Sequence, residues 1–221
     1  MRRDRGEAPL DPGRFRSISE AGARNAATAL SRMIGRPVRL DVPWARAVPL
    51  HQVAELAGGA SRVVCALSLR ARGEARGNLL LVFGEDQVPV LLALILGRRR
   101  DARAAARGRR GRALPVTELE RSALREVGNI LAAAYLDAVG RLLSVTLLPS
   151  IPGLAIDMVG AVTDYLLIEG APLADAALVL ASEVHEPSSG LRVGLFFLPD
   201  PEAYSVLGGA RGDEGGRRGP A

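Results

Sequence analysis

The chain of 221 residues repeats itself, and the repeat is what most restricts its fold. A displacement of 109 positions sets Arg16 on Arg125, Ile18 on Val127, Ala23 on Ala132, Ala29 on Ala138, Arg32 on Arg141, Val42 on Ile151 and Pro43 on Pro152. Each half runs long helix, strand, short element and strand hairpin in the same order. Beyond the two prolines the hairpins differ in length and the offset drifts. One unit present twice can bury its apolar surface against its own copy about a pseudo-twofold axis. The strands of both copies then share one sheet, and the two long helices pack across one face of it. The expected fold class is α+β: an αβ two-layer, internally duplicated pseudo-twofold domain with two long helices packed on a mostly antiparallel β-sheet.

Within the first half, Ile18, Ala21, Gly22, Ala26, Ala29, Leu30 and Met33 recur at helical spacing and predict a helix over 15–34, stopped by Gly35 and Pro37. Val38, Leu40 and Val42 alternate with polar residues, as a half-buried strand ending at Pro43 would. A short helix is expected over 50–56, a hairpin from the runs 61–69 and 78–83 around RARGEARG, and a helix over 85–96. In the second half Thr117 and Glu120 form a capping box that opens a long helix, with Leu119, Ala123, Val127, Ile130, Leu131, Ala134 and Ala138 as its expected apolar stripe. Val145 and Leu147 mark a strand leading to Pro149 and Pro152. The periodicity of 156–167 fits helix and strand alike. The runs 176–184 and 191–198 form a second hairpin around HEPSSG. The expected organisation is a mobile leader (1–13), one domain (14–207) of two repeats (14–97 and 115–207) joined by an arginine-rich linker (98–114), and a disordered tail (208–221).

At 48% hydrophobic residues the chain can build a real core, and aromatics at 4% leave that core to Ala, Val, Leu and Ile. The formal net charge of +5 raises the question of nucleic acid, because a basic stripe neutralises phosphates. All 29 basic residues are arginine, and eight of them crowd into RRRDARAAARGRRGR, residues 98–112. Such a run, with Gly and Ala but no interleaved aromatic, reads as a solvated connector without a platform for base stacking. Nucleic acid is therefore not an expected partner. The lone Cys65, in RVVCALSL, reads as a small buried hydrophobe in a reduced compartment. His51 and His185 stand in no metal-ligand spacing, so no metal site is expected. The N-terminal MRRDRGEAPLDPG lacks an apolar signal core, and the longest apolar segment, 88–96, is too short to span a bilayer, so a cytoplasmic protein without a membrane partner is expected.

On the second long helix Ser122, Glu126 and Asn129 stand four and then three residues apart, on one face. Taken alone, such a triplet is what the wet side of an amphipathic helix looks like. Followed by Pro152 twenty-two residues on, it becomes Ser, three residues, Glu, two residues, Asn, twenty-two residues, Pro. In this the chain resembles the CheC-type chemotaxis phosphatase family (CheC/CheX-like), whose signature has Asp or Ser at the first position. LREVGNILAAAYLDAV, from Leu124, is similar to that family's helix, and NAATALSRMIGRPVRLDVPWARAVPL, from Asn25, to its first half. The resemblance runs over roughly residues 14 to 205.

What the resemblance implies is hydrolysis of the aspartyl phosphate of a phosphorylated CheY-like receiver domain. An acyl phosphate needs mainly an oriented water and charge compensation. Asn129 would hold that water in line with phosphorus, and Glu126 would pair with the receiver's active-site lysine. Gly128 and Ala133, being small, would let the helix enter the partner's cleft. Ser122 stands open between a partner contact and plain helix solvation, and Pro152 would set the strand exit. No intrinsic cofactor is implied, Mg²⁺ coming with the receiver, and a CheD-like deamidase is allowed as a further partner. The matching first-half positions hold Gly13, Ser17, Glu20 and Pro43, so one active centre is expected. The alternative is a non-catalytic chemotaxis or flagellar-switch binding module of the same fold.

Overall fold

The computed structural model describes residues 12–41, 43–97, 116–170 and 176–209. The arginine-rich linker, the leader before Pro12 and the tail after Gly209 lie outside the described residues. Helix α1 (Pro12–Ile34) begins three residues before the periodic pattern does. Proline suits the first turn because its missing N–H would be unpaired there anyway. Short strands β1 (Arg39–Leu40) and β2 (Trp44–Pro49), helix α2 (Val53–Leu56), strands β3 (Val63–Gly73) and β4 (Gly77–Gly84), and helix α3 (Val88–Ile95) complete the first half. The second half repeats the order with α4 (Glu118–Leu143), β5 (Leu147–Pro149), β6 (Gly153–Met158), α5 (Val159–Gly170), β7 (Ala176–Glu186), β8 (Leu191–Pro199) and α6 (Tyr204–Gly208). The ambiguous run 156–167 is thus the end of a strand followed by a helix.

Burial on the two long helices follows one pattern. The nine buried residues of α1 are Phe15, Ile18, Ser19, Gly22, Ala23, Ala26, Ala27, Leu30 and Ile34. Adding 109 to each gives Leu124, Val127, Gly128, Leu131, Ala132, Tyr135, Leu136, Val139 and Leu143, all buried in α4. This corrects the expected stripe of α4, because Leu119 is 64% exposed and Ile130 36% exposed. The helix is turned so that Leu124 and Tyr135 face the sheet in their place. Near the axis the helices meet closely. The Asn25 amide donates to the carbonyl of Ala134, its own counterpart, at 2.6 Å. Gly22 lies against the Tyr135 ring, where a Cβ would stand 2.6 Å from Cε2.

All eight strands join one sheet, ordered β1-β7-β8-β4-β3-β5, with β2 also pairing β7 and β6 also pairing β3, every pair antiparallel. The halves meet at β4 and β8, and each half lends its two short strands to the hairpin of the other. The structure thus interleaves its two copies instead of setting them side by side. The strand expected to end at Pro43 resumes beyond it as β2, and the same happens beyond Pro152. Leu40 pairs Val184 and Trp44 pairs Ala181, so four steps along this chain match three along β7. Pro149 pairs Ala71 and Gly153 pairs Ser68, so 150–152 stand opposite only 69–70. These are equivalent bulges with one extra residue, and each ends on a proline, a residue that cannot donate to the ladder.

The long helices cover one sheet face over a core that includes Leu67, Leu79, Leu81, Phe83, Leu195 and Phe197. On the other face α2 and α5 cover a smaller apolar layer with Val64, Leu80, Val82, Val179 and Phe196. Full burial of such aliphatic or aromatic side chains contributes about 1.5–3 kcal/mol each. Among the described residues no helix is long and apolar enough to cross a membrane.

Candidate functional site

Helix α4 is held at both ends. Thr117 accepts from the Glu120 N–H at 3.3 Å, and the Glu120 carboxylate accepts from the Thr117 N–H at 2.9 Å, closing the capping box. At its far end Ser144 takes a left-handed conformation, φ 55°, and its N–H returns to the carbonyls of Gly140 and Arg141. Along the middle, Gly128 lies directly over Leu67 of β3, where an added Cβ would stand 3.1 Å from Leu67 Cδ1. The helix therefore sits low on the sheet, and its outward face is fixed by what its inward face packs on.

That outward face carries Ser122, Glu126 and Asn129, all exposed. None of the three has a hydrogen bond or ion pair among the described residues, and Ala133 follows on the same face. Gly128 does not. It is buried against the sheet, a correction to its expected place on the partner surface, because it stands about 200° around the helix from Glu126 at 100° per residue. Its smallness serves the approach of α4 to β3.

Beyond Ala133 the face runs into an open groove of about 600 Å³ between the C-terminal half of α4 and β5, lined among others by Glu74, Asp137, Arg141 and Leu148. Pro152 lies apart from the polar pair, at the end of the bulge between β5 and β6. In that bulge Ser150 exchanges backbone and side-chain hydrogen bonds with Arg70: the Ser150 N–H donates to the Arg70 carbonyl at 2.8 Å, and the Arg70 N–H to Ser150 Oγ at 2.9 Å.

The matching face of α1 is internally satisfied. Ser17, in the place of Glu126, donates to the Gly13 carbonyl at 3.0 Å. Glu20, in the place of Asn129, forms an ion pair with Arg24. Two helices with the same burial pattern thus differ in what they hold out: α1 presents groups that pair with their own helix, and α4 presents a carboxylate and an amide without partners among the described residues.

Two further residues on that face escaped the sequence reading. Leu119 and Ile130 read as core stripe in the sequence; the register with α1 sets Ile130 on Ala21, which is not among the buried residues of α1, while Leu119 matches a position outside the described residues. The remaining reactive groups are elsewhere. Cys65 is buried under α4, and burial pushes its thiol up to about 12, an effect only partly offset by Arg121. It is therefore no nucleophile at neutral pH. Among the described residues no group of three or more His, Cys, Asp or Glu could hold a metal ion.

No protein-family model matches the chain. Its sequence is 28% identical over 195 residues to the CheY-P phosphatase CheC of Bacillus subtilis, an overlap of 87% of this chain and 90% of that protein. Its fold matches that of Thermotoga maritima FliY with a TM-score of 0.64 and 20% identity, over 90% of this chain and 96% of that one. It also matches CheX as seen in the CheX-CheY-BeF3-Mg complex from Borrelia burgdorferi, with a TM-score of 0.51 and 12% identity, over 82% and 96% of the two chains.

Proposed function

We propose that this chain, CheC-like in sequence and in fold, hydrolyses the aspartyl phosphate of a phosphorylated CheY-like response regulator through a single centre on α4. The observation that carries this reading is the pair Glu126 and Asn129, without partners among the described residues, set against the self-satisfied Ser17 and Glu20 at the equivalent positions of α1. A carboxylate and an amide one turn apart on an exposed helix can enter a partner's phosphorylation site together. Docking of the helix brings the Glu126 carboxylate to a cation of the receiver, its active-site lysine. The Asn129 amide then holds one water, accepting a hydrogen bond from it through Oδ1. The water oxygen attacks phosphorus as the bond from phosphorus to the aspartyl oxygen breaks. The receiver's aspartate leaves as a carboxylate, inorganic phosphate forms, and the surplus proton passes to solvent. Such a transition state is loose, so positioning and charge compensation supply most of the acceleration. Mg²⁺ belongs to the receiver in this scheme, and the chain's own residues only bind and orient.

The shared fold allows a second reading, a binding module that engages a partner without hydrolysis. One experiment separates the two: phosphate release from a CheY-like receiver phosphorylated with acetyl phosphate, with and without the protein. Wild type is expected to accelerate release. Asn129→Ala should lose on the order of 100-fold in kcat while still binding the receiver. Glu126→Ala should weaken both binding and turnover, and Ser17→Ala or Glu20→Ala should stay within about twofold of wild type. Hydrolysis by Asn129→Ala at the wild-type rate would refute the mechanism, and binding without acceleration by wild type would select the module.

A further inference from the structure

The proposed chemistry uses two side chains of the outward face of α4 and leaves its large apolar ones unexplained. Among the described residues eight large hydrophobic side chains are exposed: Val63, Leu119, Ile130, Leu142, Leu148, Ile151, Met158 and Tyr165. Five of them, Leu119 to Ile151, belong to α4 and the β5 segment that follows. The described part of the equivalent unit, α1 and β1, carries none. At the position of Ile130 it has Ala21, at Leu142 the partly buried Met33, and at Leu148 the polar Arg39. Both units bury the same nine positions, so the fold does not require an exposed side chain of the size of Ile130 or Leu148 at those places. The positions matching Leu119 and Ile151 lie outside the described residues, and Leu119 enters the argument by its place on the same strip as Glu126 and Asn129.

Geometry selects which of them can act with the pair. At 100° per residue Leu119 lies about 20° and Ile130 about 40° around the helix from Glu126, whereas Leu142 lies about 160° away. Leu119 is two turns before Glu126 and Ile130 one turn after it. Two aliphatic side chains therefore bracket the polar pair on one exposed strip, which continues into the groove with Leu148 on its wall.

We infer that Leu119 and Ile130 are the apolar anchors by which the phosphorylated receiver is held, seated on the surface around its phosphorylation site, and that they set affinity while Glu126 and Asn129 set turnover. This rests on the proposed function above. The occupant is fixed by continuity: a surface that admits Glu126 and Asn129 must also cover residues one and two turns away on the same face. Aliphatic side chains desolvated at the centre of an interface, next to buried polar contacts, are placed where binding energy concentrates.

The test is steady-state hydrolysis of the acetyl-phosphate-loaded receiver, with affinity for the beryllofluoride-loaded receiver measured in parallel. Ile130→Ser and Leu119→Ser are each expected to raise KM and Kd about tenfold with kcat within twofold, and the double variant more than either. Leu142→Ser, on the other side of the helix, should leave both constants unchanged. Thermal midpoints equal to wild type confirm that the exposed substitutions leave the fold intact. Unchanged KM and Kd in the double variant, with wild type active, overturns the anchors and leaves the phosphatase reading standing. A wild type that neither hydrolyses nor binds any receiver overturns both.

Discussion

Gly128 is the position at which inward packing and outward access make opposite predictions. Gly128→Ala places a carbon 3.1 Å from Leu67 Cδ1, 3.3 Å from its Cβ and 3.4 Å from its Cδ2. Leu67 is fully buried. Carbon atoms settle about 3.5–4.0 Å apart, so Leu67 or α4 must give by about 0.4 Å. Overpacking of this kind costs about 1–3 kcal/mol. Alanine in a helix interior recovers about 1 kcal/mol relative to glycine. The net destabilisation is about 1 kcal/mol, a fall in Tm of about 2–4 °C for a domain of this size.

Thermal unfolding of wild type, Gly128→Ala, Leu67→Ala and the double variant reads the effect. Leu67→Ala alone opens a cavity and costs about 2–5 kcal/mol. In the double variant the new methyl enters that cavity, so the loss should fall short of the sum by about 1 kcal/mol. An unchanged or raised Tm for Gly128→Ala, strict additivity in the double variant and a raised KM for the receiver would together put Gly128 on the partner surface and refute the packing argument.

Three further outcomes are expected. Glu186 is buried, and burial alone would raise its pKa, but hydrogen bonds from the N–H and hydroxyl of Ser188 and the N–H of Ser189 lower it from 4.5 to about 2. Its contribution, up to about 3 kcal/mol, is present above pH 4.5 and lost as pH falls toward 2, so a plot of Tm against pH over that window should be flatter in Glu186→Gln. Thr117→Ala removes both bonds of the Thr117 hydroxyl to Glu120 and should cost about 1 kcal/mol, read as a 2–4 °C fall in Tm, with an unchanged Tm counting against the cap. Pro152→Ala and Pro43→Ala should each cost about 0.4–1 kcal/mol by freeing the unfolded chain, and Pro43→Ala should leave turnover unaltered; a loss of turnover in that variant would tie the first bulge to the site.

Much of the fold could be read because its boundaries carry their own chemistry. The capping box at Thr117, the stop at Gly35 and Pro37 and both hairpins stand where the residues put them. Strands β2 and β6 were harder. Pro43 and Pro152 look like strand ends in a linear reading, since proline cannot donate to a ladder, and only the pairing partner reveals that one extra residue lets the strand resume on the same neighbour. Helix α6 was hidden for another reason. Its five residues have little periodicity, and it is tied down by a remote contact, Arg14 Nε donating to the Leu207 carbonyl at 2.6 Å. The rotation of α4 was misread because alanines at 123, 132, 133, 134 and 138 satisfy several stripes equally well. Leu119 and Ile130 then looked like core, and Gly128 like surface.

The repeat also separates the parts of the four-position signature. Pro152 has an equivalent in Pro43, at the end of an equivalent bulge, and Ser150 in that bulge corresponds to Asp41, whose N–H donates to the Glu183 carbonyl at 2.8 Å. What both halves keep is needed to carry the sheet edge past the bulge, whichever helix lies above it. Glu126 and Asn129 have no equivalents, since Ser17 and Glu20 are taken up by their own helix. A half that served only the fold would have no reason to hold out a carboxylate and an amide without partners among the described residues, beside an exposed Ile130 where the other half has Ala21, because each pair it forgoes and each apolar surface it leaves wet costs stability. On the proposed function, the proline belongs to the scaffold and the Glu–Asn pair serves the partner. Ser122, exposed and set on Gly13 by the repeat, has no counterpart in the first half either.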